Sequence, residues 1–123
     1  MKTLIIFLIL TSTSFAYTDK EAIQTIVGEA SNQGYMGMVA VGEVIRHNKT
    51  LRPFYGFKAM NHRKESIQVW KLARKAWYAS QSTNLTRGAD HFENVNSFGE
   101  PYWVKNCKLT FVWKDHKFYK EIK

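Results

Sequence analysis

From Thr18 the chain reads Thr-Asp-Lys-Glu, and apolar residues then recur at Ile23, Ile26, Val27 and Ala30, the i, i+3, i+4, i+7 spacing of one buried helical stripe. Thr18 and Glu21 stand three apart, as a capping box requires, so a helix is predicted to begin there, with Gly34 as its stop. A second helix is predicted from about Gly37 to Asn48, forming a hairpin with the first. A third, from about Lys64 to Ser80, sets Val69, Leu72, Ala73, Ala76 and Ala79 on one face and Trp70 and Trp77 on a second stripe. Residues 49–62 lose the period, carry Pro53 and Gly56 and mix basic with aromatic side chains, which predicts an ordered loop. Beyond Asn84 the character changes. Gly88, Asn94, Asn96, Gly99 and Pro101 punctuate short aromatic segments. Leu109, Phe111 and Trp113 then alternate on one side of a strand, and Lys117 to Glu121 follows a Lys114-Asp115-His116 turn, the pattern of a small hairpin. The predicted fold class is α+β, helical for its N-terminal two-thirds and then a short β region, with no internal repeat.

The start of the chain changes the picture. Met1-Lys2, an apolar run from Leu4 to Leu10 and a small-x-small end at Ser14 and Ala16 have the layout of a signal peptide cleaved after Ala16. The run is far short of the roughly 20 residues that span a bilayer. Export to the periplasm, cell wall or extracellular space is therefore expected, with no stable membrane insertion once the leader is gone. Of 123 residues, 18 are Lys or Arg and 10 are Asp or Glu, giving a net charge of +8. Loss of residues 1–16 removes one Lys and no acid, so residues 17–123 remain strongly basic and suit anionic surfaces. The densest basic cluster, Arg63-Lys64 followed by Lys71, Arg74 and Lys75, fits a solvated helix face. A composition 45% hydrophobic, with 7 Gly and 2 Pro, suits one compact domain rather than a disordered chain. The single Cys107 excludes an internal disulfide and a thiolate zinc site, and is read as a small buried residue.

Several chemistries lack their usual signatures. The chain has no Gly-rich phosphate loop, no serine nucleophile elbow and no His-Glu-x-x-His helix. His47, His62, His91 and His116 are too scattered for the short-range pairs that anchor most zinc sites, so neither metal nor cofactor is expected. Glu29 falls ~110° from the centre of the first buried stripe, at about 100° per residue, on the edge of a helical core. A partly desolvated Glu there keeps its proton near neutral pH and can deliver it to a glycosidic oxygen. The pattern alone equally fits a surface acid.

The residues around Glu29 resolve that choice. The run Gly28-Glu29-Ala30, Gly34, then Gly37-Met38-Val39-Ala40-Val41-Gly42-Glu43-Val44-Ile45-Arg46-His47-Asn48 resembles the opening motif of cell-wall hydrolases of the spore-cortex-lytic type. Gly88-Ala89-Asp90-His91-Phe92-Glu93-Asn94, Pro101-Tyr102-Trp103 and His116-Lys117-Phe118-Tyr119 resemble that family's later motifs in the same order, so the likeness covers nearly all of residues 17–123. The chain departs from the family at Gln33, where many relatives carry a second Glu, and at His47, a position that varies. The resemblance implies a compact lysozyme-like α+β domain that cuts peptidoglycan glycan strands between N-acetylmuramic acid and N-acetylglucosamine, often as a lytic transglycosylase. It makes Glu29 the catalytic acid. Glu43, Asp90 and Glu93 are the candidates for a second carboxylate should the enzyme be a hydrolytic muramidase, with Glu93 first because it lies in a matched motif.

Sugars stack on aromatic faces and bind amide and hydroxyl partners. Tyr35, Phe92, Tyr102, Trp103 and Tyr119 are the aromatic candidates for a glycan groove, and His91, Asn94 and His116 the polar ones. The expected partner is the glycan strand, with no nucleic acid, and the expected state is a monomer. A non-catalytic cationic module for wall or nucleic acid shares the charge and the aromatic residues but gives no reason for an acid at Glu29. A secreted lysozyme inhibitor is the third class.

Overall fold

The computed structural model describes residues 16–54, 56, 64–94 and 99–122. Residues 1–15 of the predicted leader, half of the predicted loop 49–62 including His62, Arg63 and Asn96 lie outside them. Among the described residues three helices precede a three-stranded antiparallel sheet, so the fold is α+β with its helical part first: α1 (Asp19–Ala30), α2 (Gly34–Arg46), α3 (Ile67–Ala79), β1 (His91–Asn94), a 3-10 turn of helix (Tyr102–Asn106), β2 (Cys107–Trp113) and β3 (His116–Glu121).

The capping box at the start of α1 forms in both directions: Glu21 N donates to Thr18 Oγ1 at 3.2 Å and Thr18 N donates to Glu21 Oε1 at 3.0 Å. Gly34 does separate the first two helices, through a left-handed φ of 75° that a side chain disfavours. It opens α2 itself, so that helix starts three residues before the predicted Gly37. Every residue of α2 from Gly37 to Ile45 is buried, because the helix is flanked by both neighbours. α3 starts at Ile67 rather than Lys64, since Ser66 caps it by accepting from Val69 N.

Trp77 knits the three helices. Its indole Nε1 donates to Asp19 Oδ1 at 2.9 Å, and the Arg46 guanidinium lies 3.7 Å from its ring centroid. Arg46 also donates to Ser80 Oγ and to Trp77 O. Among the described residues the buried apolar core runs from Ala22 to Phe118.

The sheet order is β1-β3-β2. The predicted hairpin is β2 with β3, joined by Lys114 and Asp115 alone, since His116 already pairs with Trp113. β1 was not predicted: four residues carry too little periodicity, and β3 templates them through His91↔Tyr119 and Asn94↔His116. A bulge between Leu109 and Phe111 corrects a second expectation. Leu109 pairs with Tyr119 and Phe111 with Phe118, which are consecutive in β3, so Leu109 and Phe111 face opposite sides of the sheet. Leu109 is accordingly 47% exposed, while Phe111 and Trp113 pack toward the core. Central β3 is covered on both faces, by the helices over Phe118 and by Trp103 over Tyr119.

Candidate active site

The end of α1, the end of α2 and strand β1 enclose a cavity of about 650 Å³. Glu29 comes from the last turn of α1, and Asp90, His91, Glu93 and Asn94 from β1 and the residue before it. Trp103 and His116 close the cavity from the 3-10 turn and β3. Its apolar lining is Val44, Pro53, Phe54 and Phe92, with the Phe54 and Phe92 rings stacked at 6.0 Å and Phe92 continuing into the core at Phe118.

The Glu29 carboxyl is positioned by two glycines. A Cβ on Gly28 would fall 2.7 Å from Gly56 Cα, and one on Gly56 would fall 2.5 Å from Glu29 Cγ, so only a Gly–Gly crossing lets the backbones touch. At that crossing Gly56 N donates a short hydrogen bond to Glu29 Oε1. Burial pushes the Glu29 carboxyl above its ordinary pKa of 4.5; the Gly56 hydrogen bond pulls the other way, and the nearby Glu93 charge adds to the rise. A carboxyl whose pKa is raised in this way, at the wall of a cavity, has the character of a general acid.

The remaining polar groups are held from several sides. His91 Nδ1 lies 2.7 Å from Asp90 Oδ1, which also accepts from Glu121 N at 3.0 Å. Asn48 Nδ2 donates to Val44 O and to Asp90 O, tying the end of α2 to the start of β1. The His91 ring rests 4.9 Å from that of Trp103. His116 is buried, its Nδ1 has no partner among the described residues, and burial holds its pKa below the ordinary histidine value while Asp115 opposes that effect. Among the described residues no group of three His, Cys, Asp or Glu is placed to hold a metal ion.

Of the residues singled out in the sequence, Glu29, Asp90, His91, Phe92, Glu93, Asn94, Trp103 and His116 meet around this cavity. Three do not. Tyr35 packs at the start of α2 with Lys75 Nζ 5.5 Å from its ring, because its position on the helix faces α3. Tyr119 is 3% exposed and stands edge-on beneath Trp103, since β3 is the central strand. Tyr102 neighbours Trp103 but is 86% exposed, outside the lining.

Two other acid positions are also reassigned. Glu43 is fully occupied as an acceptor: Oε2 takes Thr83 Oγ1 and Leu85 N, and Oε1 takes Thr86 N and Thr86 Oγ1. Gln33, where the cell-wall hydrolases that the sequence resembles often carry a Glu, is buried against Asn32 and Asp115 and takes no part in the cavity. Sequence reasoning had no role for Asn48, Phe54 and Gly56. Asn48 stood in the quoted motif as the signal, whereas Gly56 gave only a loop residue. Comparison of the chain with family models, curated proteins and solved structures finds no match.

Proposed function

We propose that this protein cleaves the glycan strands of peptidoglycan between N-acetylmuramic acid and N-acetylglucosamine, and that it does so as a lytic transglycosylase with Glu29 as its one catalytic acid. The observation that carries the reading is a carboxyl raised in pKa by burial, held by a backbone N–H, at the wall of a cavity with both aromatic and polar lining. The motif resemblance supplies the substrate class. Glu29 protonates the glycosidic oxygen as the bond to the muramoyl C1 breaks. As a carboxylate it then takes the proton from the muramoyl C6 hydroxyl while that oxygen bonds to C1. The product is a 1,6-anhydro sugar, and the acid is regenerated without a cofactor. Trp103 and Phe92 supply sugar-facing surface, and His91, Asn94 and His116 polar partners. The site of action on this reading is the periplasm, wall or extracellular space, after loss of the leader.

A second reading, a hydrolytic muramidase, is favoured by one observation: Glu93 shares the cavity and lies near enough to raise the pKa of Glu29. A second carboxylate in that place is what a water-activating base or a nucleophile requires. Residues 17–123 incubated with purified peptidoglycan separate the two. Muropeptides 18 mass units lighter than hydrolysis products, absent with Glu29→Gln, support the transglycosylase. Hydrated reducing ends, absent with either Glu29→Gln or Glu93→Gln, support the muramidase. Release of no fragments from several wall types, with binding retained, overturns both in favour of a binding module.

A further inference from the structure

The basic cluster of α3 has no part in the cavity around Glu29, and its surroundings are unusual for a solvated helix face. Ile67, Lys71, Arg74 and Tyr78 follow the i, i+4, i+7, i+11 spacing of one stripe, and this outer stripe lies beside Lys20 and Ile23 of α1. Between the two helices is a hollow of about 460 Å³ whose lining includes Ile23, Trp70 and Tyr78. It shares no residue with the Glu29 cavity. Ile67 is 69% exposed and Tyr78 is also exposed.

The charges around the hollow are one-sided. α3 carries Lys71, Arg74 and Lys75 and no acid. Among the described residues no ion pair engages Lys20, Lys71 or Arg74; the Arg74 guanidinium sits 5.8 Å from the Tyr78 ring instead. The one acid at the rim, Asp19, accepts the Trp77 indole N–H from within the core.

We propose that this face, the first turns of α1 with the outer stripe of α3, is a peripheral docking site for the surface of an anionic lipid bilayer. Cations beside exposed aliphatic and aromatic side chains match a phase with an anionic skin and an apolar interior. A soluble polyanion satisfies the cations and leaves Ile67 and Tyr78 wet. A second copy of the chain sets cations against cations. The inference does not depend on the glycan-cleaving reading, and it concerns a surface contact: among the described residues no helix is long and apolar enough to cross a membrane.

The test is co-sedimentation of residues 17–123 with phosphatidylcholine vesicles, with and without phosphatidylglycerol, at low and high salt. The expected result is binding to the anionic vesicles alone, released by salt. Lys71→Gln with Arg74→Gln weakens it by about 30-fold, the effect of two surface cations. Ile67→Ser with Tyr78→Ser weakens it as well and leaves binding to soluble polyphosphate unchanged. Lys105→Gln with Lys108→Gln, on exposed positions elsewhere, changes vesicle binding little. All variants carry exposed substitutions, and unchanged thermal melting verifies their folding. Failure of the unsubstituted protein to bind anionic vesicles overturns the proposal. So does insensitivity to Ile67→Ser with Tyr78→Ser, which indicates a polyanion groove, or an equal loss with the Lys105 and Lys108 pair, which indicates diffuse charge.

Discussion

Glu29 and Glu43 sit on neighbouring helices, the first partly buried and the second fully, and their surroundings assign them opposite work. Glu43, 3% exposed, receives four hydrogen bonds from the segment 83–86, two on each oxygen, so its lone pairs are saturated and its carboxylate serves as a clamp. That clamp fastens to α2 the segment that leads into β1. Among the described residues Glu29 receives one hydrogen bond, from Gly56 N, and it faces a cavity also lined by Asp90 and Glu93. Glu29 is undercompensated, and its pKa rises. A saturated buried acid stabilises a fold, whereas an undersaturated one at a cavity is available to exchange a proton.

Substitution separates the two. On the proposed reading, Glu29→Gln lowers release of muropeptides by about 10²-fold or more while leaving the denaturation midpoint almost unchanged. Glu43→Ala does the reverse in kind: it strands buried donors and costs about 3–5 kcal/mol of stability, read by chemical denaturation. If Glu43→Ala keeps its stability, the clamp is not what orders residues 83–86.

Gly56→Ala forces a Cβ into Glu29 and costs about 1–3 kcal/mol through overpacking. The same change weakens the Gly56 hydrogen bond, so the Glu29 pKa rises further and the high-pH limb of activity moves upward. Glu93→Gln acts in the opposite direction. Removing that charge lowers the Glu29 pKa and brings the limb to lower pH, a shift that a pH–rate profile resolves.

The smallest effect is on stability against pH. Because the folded state raises the Glu29 pKa, it binds more protons than the unfolded state above the ordinary value of 4.5. The contribution of Glu29 is therefore fully present below that value and is lost as pH rises through the folded pKa. The stability of Glu29→Gln relative to the unsubstituted protein is expected to increase across that window. Parallel denaturation curves at pH 4 to 8 measure it; a difference that stays flat with pH would place Glu29 in water.

Much of this organisation is already present in the order of residues. The Thr18–Glu21 capping box, the Ile23-Ile26-Val27-Ala30 stripe and the apolar face of α3 are local patterns, set within one or two helical turns, and α1 and α3 follow from them. The same arithmetic set Glu29 on the edge of the first stripe. The hairpin of β2 and β3 was readable from its alternation, but the side of Leu109 was not, because one bulged residue inverts every side chain beyond it. Tyr35, Tyr102 and Tyr119 were equally aromatic in the sequence. Only the position of α2 against α3, and of β3 at the centre of the sheet, divided them into packing, exposed and buried residues outside the cavity.

The sequence by itself determined the three helices, the capping box of the first, the basic balance and the residue types from which a proton-exchanging site can be made, since each is a matter of composition or of near neighbours along the chain. The tertiary structure alone decided which acid is saturated and which is not. The donors to Glu43 come from residues 40 to 43 positions away, and the one donor to Glu29 among the described residues from 27 positions away. No local pattern encodes those separations. They arise when the helices and sheet bury a common core, and the same packing brings Gly56 against Gly28 and carries β1 to the side of Glu29.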